Sequence, residues 1–241
     1  MYKIKIMGQY ATKTLGQIVA GNYKAASVFD RYELDFCCGG KKTLEEACQR
    51  KQLSLEEIEN DLTRVLADSS GEFPFRDMSP SMLIGYILIH HHFYIQQNMP
   101  LILQHLEKVA CKHGESFPYM KRVAELFTEL EEELMGHMKK EELILFPAIR
   151  EIERLHTAGT SIESSLKNIT APMMVMEKEH DIAGRLIEEI RRLTSQYVVP
   201  EAACTTFRIS LMELKEFDMK LHEHVHLENN ILFERVREMI A

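Results

Sequence analysis

His92 and His137-Met-Lys-Lys-Glu141 recur later in the chain as His180 and His224-Val-His-Leu-Glu228. The intervals from the lone histidine to the His-x3-Glu are 45 and 44 residues, and the two copies are offset by 87 or 88. The apolar sequence after each motif repeats too, as Ile144-Leu145-Phe146 and Ile231-Leu232-Phe233. One His-x3-Glu on a helix is usually a solvated i, i+4 pair. Two in register, each with a matched upstream histidine and each embedded in apolar sequence, imply buried polar groups that need a common partner. Residues i and i+4 share a helix face, so His137 and Glu141 point together, as do His224 and Glu228. With His92 and His180 on the preceding helices, the repeat predicts a duplicated helical hairpin around a symmetric binuclear metal site.

The surrounding pattern is helical. Four long stretches carry apolar residues at spacings of three and four: Ser81 to Lys112, Phe117 to Arg154, Ala171 to Tyr197 and Glu201 to Ile240. Breaks fall at His113-Gly114, Thr157 to Ser161 and Val199-Pro200, and the first and third connectors are short, which favours an antiparallel four-helix bundle. Pro100 and Pro147 lie inside two of these helices and are expected to kink them. Ahead of the bundle, short helices are predicted over Thr14 to Ala20, Lys24 to Tyr32, Thr43 to Lys51 and Ser54 to Leu66. Thr43-Leu-Glu-Glu46 and Ser54-Leu-Glu-Glu57 read as capping boxes. Ser69-Ser70-Gly71, Pro74 and Ser79-Pro80 interrupt any helix. The expected organisation is therefore all-α, with a small helical domain over 1–70, a linker over 71–80 and a bundle over 81–241.

Imidazole nitrogen and carboxylate oxygen suit iron or manganese. If Glu141 and Glu228 both bridge, each metal receives two imidazoles and two carboxylate oxygens, a solvent bridge adds a fifth donor, and one position per metal stays open for a small ligand. His90 and His91, beside His92, and His222 and His226, flanking His224, are turned off the ligand face and read as surface or supporting groups. Glu133 lies one turn before His137, and Glu179 directly precedes His180. Glu133 reads as part of the solvated Glu131-Glu132-Glu133 run, or one or both carboxylates form a polar path into the site. A ferritin-like centre needs two Glu-x2-His motifs. Glu177 to His180 supplies one, but Ile89, Leu134 and Leu221 precede the other histidines by three, which excludes it.

A second motif, Asp35-Phe-Cys37-Cys38-Gly-Gly40, lies between two of the short helices. Two glycines permit a sharp turn that exposes both thiols, and Lys41 and Lys42 favour thiolate. Vicinal cysteines bridge each other only with strain, so exchange with a partner, or binding of metal or nitric oxide, competes with a plain role as small buried side chains. Cys48, Cys111 and Cys204 fall within helical patterns and are expected to be structural. A net charge of −8 without a block of basic residues argues against nucleic acid as a partner. No run is apolar enough for a membrane span or a signal peptide, and the five cysteines are irregularly spaced, so a cytoplasmic protein with free thiols is expected.

These two motifs together resemble the repair-of-iron-centres family, di-iron proteins with a hemerythrin-like bundle. Asp35 to Gly40, His137-x3-Glu141-x2-Ile-Leu-Phe146, Glu179-His180-Asp181 and His224-x3-Glu228-Asn229-Asn230 carry the resemblance, which spans nearly the whole chain. It implies a hemerythrin-like antiparallel bundle holding two iron ions with a bridging oxo or hydroxo, on His92, His137, Glu141, His180, His224 and Glu228. It implies support for iron-sulfur clusters damaged by nitrosative or oxidative stress, through donation of iron to damaged proteins or an assembly scaffold. Cys37 and Cys38 would serve as redox or partner thiols. Oxygen-carrying hemerythrins have two ligand histidines four apart on the third helix and His-x4-Asp on the fourth. Here Gly184 stands four after His180, and the fourth helix has His224-x3-Glu228, which argues against oxygen transport. Two other expectations compete: an enzyme reducing nitric oxide or peroxide at the di-iron site, and a sensor or binding module for nitric oxide or dioxygen. A homodimer is a further expectation.

Overall fold

The computed structural model describes residues 8–67, 75–162 and 164–241, the side chains of 164 and 165 excepted. The expected break at Ser69-Ser70-Gly71 and Pro74 lies outside the described residues. Among them the chain is helical, and its β-type pairing is an isolated bridge between Thr14 and Thr43. None of the described helices is long and apolar enough to cross a membrane. Two compact units are present: the residues before Pro80 with Val225–Arg235, and Pro80–His224 with Val236–Ala241.

The first unit holds the short helices Leu15–Gly21, Ala25–Arg31, Leu44–Lys51 and Leu55–Val65. Thr43 and Glu46 form the expected reciprocal capping box, whereas at Ser54 only the hydroxyl accepts, from the Glu57 amide. A second full box, Thr14 with Gln17, starts the first helix and went unread in the sequence. Leu15, Ile18 and Val19 form one buried stripe and Ile58 and Leu62 another, closing on Val28, Phe29, Phe36 and Leu44. The stretch Val225–Arg235 packs into the same core. The His226 ring lies edge-on to Phe36 at 5.8 Å and near Tyr23 at 6.1 Å. Burial, aided by the charge of Arg76, pushes His226 down to about 3, so it is a neutral imidazole whose Nδ1 lies 3.1 Å from Asn230 Nδ2.

In the second unit and its continuation, the first bundle helix comprises Pro80–Ile87, a π-helical turn Leu88–His92 and Phe93–His113. The second comprises Tyr119–Lys140, a π turn Glu141–Leu145 and Phe146–Thr157. The third, Thr170–Leu193, is uninterrupted. The fourth comprises Thr205–Leu227, a π turn Glu228–Leu232 and Phe233–Ile240. The second helix packs on both the first and the third, as expected of an up-and-down bundle with short connectors. Pro100 lies inside the first helix; Pro147 falls in the first turn after a π segment, where a missing N–H costs least.

Buried residues follow the three-four rhythm throughout: Ile95, Met99, Ile102 and Leu106; Val123, Leu126, Phe127 and Leu130; Phe207, Leu211, Leu214 and Phe217. The histidines occupy the same rhythm. His180 follows Met176 by four and precedes Ala183 by three, so the periodicity that buries the core also buries the imidazole. Third and fourth helices are tied by Arg191, whose guanidinium makes two 2.8 Å bonds to Asp218; Tyr197 Oη donates to the same carboxylate at 2.8 Å. Burial alone would raise the Asp218 carboxyl, but the bonds from His222, Arg191 and Tyr197 hold it below the usual range.

A buried histidine-carboxylate centre

In three of the bundle helices the α-helical ladder gives way to one π turn, and each turn begins or ends at a motif residue. Phe93 N–H bonds to Leu88, Phe146 to Glu141 and Phe233 to Glu228, all five residues back. Such turns add a residue to the helical circuit and are common at functional sites. Glu141 and Glu228, which open two of these turns, are fully buried, with 0% exposure each, among four histidines exposed by 2% or less.

The six side chains form two groups. His92, His224, Glu141 and Glu228 offer ligand atoms all within 4.8 Å of one another, and so do His137, His180, Glu141 and Glu228. Both carboxylates belong to both groups. The Glu141 oxygens divide between them, Oε2 lying 3.3 Å from His92 Nε2 and Oε1 lying 3.2 Å from His137 Nε2. The His137 and His180 Nε2 atoms face each other at 2.9 Å. His92 and His224 meet edge to face at 5.1 Å between ring centres, and Phe146 covers His92 at 5.6 Å. Nitrogen and oxygen donors converging without solvent are the donor chemistry of a pair of borderline or hard transition cations, and the residues fit such a pair.

The outer edge of two imidazoles is held by acid groups. His92 Nδ1 donates to Glu142 Oε1 at 2.8 Å, and His137 Nδ1 donates to Glu179 Oε2 at 2.9 Å. Donation from Nδ1 leaves the Nε2 lone pair of each ring directed inward, as a metal ligand requires. Burial raises the Glu179 carboxyl, but hydrogen bonds from Lys140 and His137 outweigh it and hold the group ionised below the usual range. Glu179 thus stands beside a ligand imidazole, with Lys140 on its far oxygen. Glu133 is exposed on the second helix.

Comparison with known proteins gives the same picture. Residues 84–236 match the hemerythrin HHE cation binding domain, and residues 11–66 match a domain of unknown function, DUF542. An iron-sulfur cluster repair protein YtfE of Pectobacterium carotovorum subsp. carotovorum is 37% identical over 226 residues, covering 94% of this chain and 97% of the relative. Relatives of the same name in Enterobacter sp. (strain 638) and Escherichia coli O17:K52:H18 are 34% and 35% identical with the same coverage. The chain belongs to the YtfE family of iron-sulfur cluster repair proteins.

Several residues around this YtfE-type centre escaped the sequence reading. Glu142, next to a ligand-type glutamate, carries no sequence signal of its own and is placed on His92 only by the fold. His91 is fully buried and stacks on His224 at 5.5 Å, while His90 is exposed and packs on Tyr86. His91 and His92, adjacent in sequence, are both buried within the π turn Leu88–His92.

The cysteines also differ from expectation. Cys111 and Cys204 are exposed, not structural, and Cys204 precedes its helix with Sγ 3.2 Å from His113 Nε2. Cys48 is buried as expected. Cys37 is buried and Cys38 half-buried, so the loop does not present both thiols to solvent. Nor is Cys37 a ready thiolate. Its hydrogen bond with Cys38, then burial and the negative charge of Asp35, push the thiol well up, and Lys41 and Lys42 project into solvent.

Proposed function

We propose that this chain holds two iron ions on His92, His137, Glu141, His180, His224 and Glu228, and supports repair of iron-sulfur clusters damaged by nitrosative or oxidative stress by donating iron. The observation that carries the reading is the sharing of both carboxylates by two four-donor groups, with the Glu141 oxygens divided between them. Carboxylates shared in this way would let one cation leave while the other stays held by its own histidines, as iron donation needs. When bound, ferrous ions supply both transferable iron and positions for a small ligand such as nitric oxide or dioxygen.

The chain's own contribution is orientation and exit. Glu142 and Glu179 fix the tautomers of His92 and His137. Glu179, 17% exposed, and Lys140 beside it lead from the buried ring to solvent, and they form the polar way out, with Glu133 as an outer station on the same helix as His137. The recipient is a damaged iron-sulfur protein or an assembly scaffold in the cytoplasm. In the test, iron-loaded protein is mixed anaerobically with an enzyme whose cluster has been damaged by nitric oxide. Recovery faster than with an equal amount of free ferrous iron supports donation. Equal recovery, or production of nitrous oxide over several turnovers with an electron donor, would replace donation with a different activity of the same centre.

A further inference from the structure

The Asp35-Phe-Cys-Cys-Gly-Gly loop is a built structure. Asp35 Oδ1 accepts from the Cys37 and Cys38 amides, each at 3.0 Å, and Oδ2 accepts from the Gly39 amide at 2.8 Å. Asn230 Nδ2 reaches the carbonyls of Phe36 and Cys37 at 3.2 and 3.4 Å, and the Gly16 amide bonds to the Gly40 carbonyl at 2.9 Å. Glycine is required at the junction. A Cβ on Gly40 would lie 2.3 Å from the Phe36 carbonyl, and one on Gly16 would lie 2.3 Å from Asn230 Oδ1.

The loop holds two sulfurs and an oxygen close together. Cys37 Sγ lies 3.8 Å from Cys38 Sγ and 3.1 Å from Asp35 Oδ1. Two thiolates on one tetrahedral cation, with metal-sulfur bonds of about 2.3 Å, stand about 3.8 Å apart. A bond between the two sulfurs suits the loop poorly: consecutive Cα atoms are about 3.8 Å apart, short of the roughly 4.4–6.8 Å that disulfides span. We infer that Cys37 and Cys38, with the Asp35 carboxylate as third donor, form a second, mononuclear site for a divalent transition cation such as ferrous iron, separate from the histidine-carboxylate centre. Binding replaces two S–H protons: the cation enters, two thiolate-metal bonds form, and two protons leave to solvent. The half-buried Cys38 leaves a side open, as a site that passes a cation on requires, whereas structural thiolate sites are closed by four protein ligands. The inference does not depend on the repair reading of the bundle.

The test uses the full chain with iron already in the bundle, kept reduced and anaerobic, and titrated with cobalt(II). One cobalt per chain should bind with a near-ultraviolet sulfur-to-cobalt charge-transfer band, visible tetrahedral bands and release of about two protons. Cys38→Ser should weaken that binding at least tenfold with bundle iron and thermal melting unchanged. Cys37→Ser should do the same, and Cys38 keeps the test valid if the buried Cys37 variant folds poorly. The triple variant Cys48→Ser/Cys111→Ser/Cys204→Ser should bind as the parent does. Absence of the sulfur band, its survival in Cys38→Ser, or its loss in the triple variant would overturn the assignment. None of these outcomes depends on cluster repair, so the two proposals fail separately.

Discussion

Replacing Glu142 with alanine removes one hydrogen bond, 2.8 Å long, from the back of one ligand imidazole and leaves the six inner side chains in place. Loss of such an outer partner costs about 10- to 100-fold in metal affinity, or about 1.4–2.8 kcal/mol. Glu142 is 35% exposed, so water replaces part of what it gives His92, and the effect belongs at the lower end, about tenfold. Glu179 is only 17% exposed and is further fixed by Lys140, so Glu179→Ala belongs nearer the upper end. The two variants also act on different groups, Glu142 through His92 and Glu179 through His137. Chelator competition with iron-loaded protein, followed by stopped-flow, should give two phases in each variant, one near the parental rate and one faster. Parental kinetics in both variants, or equal acceleration of both irons in each, would refute the division of labour among the outer carboxylates.

Other outcomes follow from the same contacts. Gly40→Ala drives a Cβ into backbone and should cost about 1–3 kcal/mol in thermal or urea unfolding; Gly16→Ala meets the Asn230 side chain instead, and adding Asn230→Ala should recover much of its loss. Asp218→Asn breaks a buried ion pair and should cost about 3–5 kcal/mol at pH 7. Because the folded carboxyl is held below its unfolded value of about 3.9, the stabilisation is complete above that pH and fades as pH falls through the lower folded value. The parent-to-variant gap in urea unfolding should therefore hold down to about pH 4 and shrink below it; an unchanged gap would mean that Asp218 is not the group responsible. Brief alkylation of the native protein should label Cys111 and Cys204 ahead of Cys37 and Cys48, read by peptide mass spectrometry; equal labelling would contradict their burial.

Much of the architecture was legible because the same apolar rhythm marks helix, core face and ligand face at once. His180 between Met176 and Ala183 is an example: a polar residue at a core position, meaningful only because His92 repeats it. What stayed hidden depends on backbone register and on contacts distant in sequence. Nothing in Glu141-Glu-Leu-Ile-Leu145 announces a five-residue hydrogen-bond step, because residue type sets side-chain pattern more strongly than it sets which carbonyl an amide selects. Glu142 beside Glu141 reads as solvated until His92 is folded against it, 50 residues away. Asn230 stands in the sequence as part of the motif after Glu228, and its contact with the loop at Phe36 and Cys37, nearly 200 residues away, comes only from the fold.

The π turns carry a consequence for anyone who edits this chain. One residue of an α-helix corresponds to about 100° of rotation, so each five-residue step rephases everything downstream of it. The stripe that faces inward along Phe233–Ile240 is therefore out of phase with that of Thr205–Leu227. Deleting a single residue between Glu228 and Leu232 would restore an ordinary helix and leave Phe233–Ile240 at its present azimuth, whereas forcing the unedited sequence into an uninterrupted helix would swing its last two turns by about 100°. A His-x3-Glu copied onto an uninterrupted scaffold would likewise place its two donors correctly and misdirect the packing that follows, so transplanting the centre means transplanting the irregular turn with it.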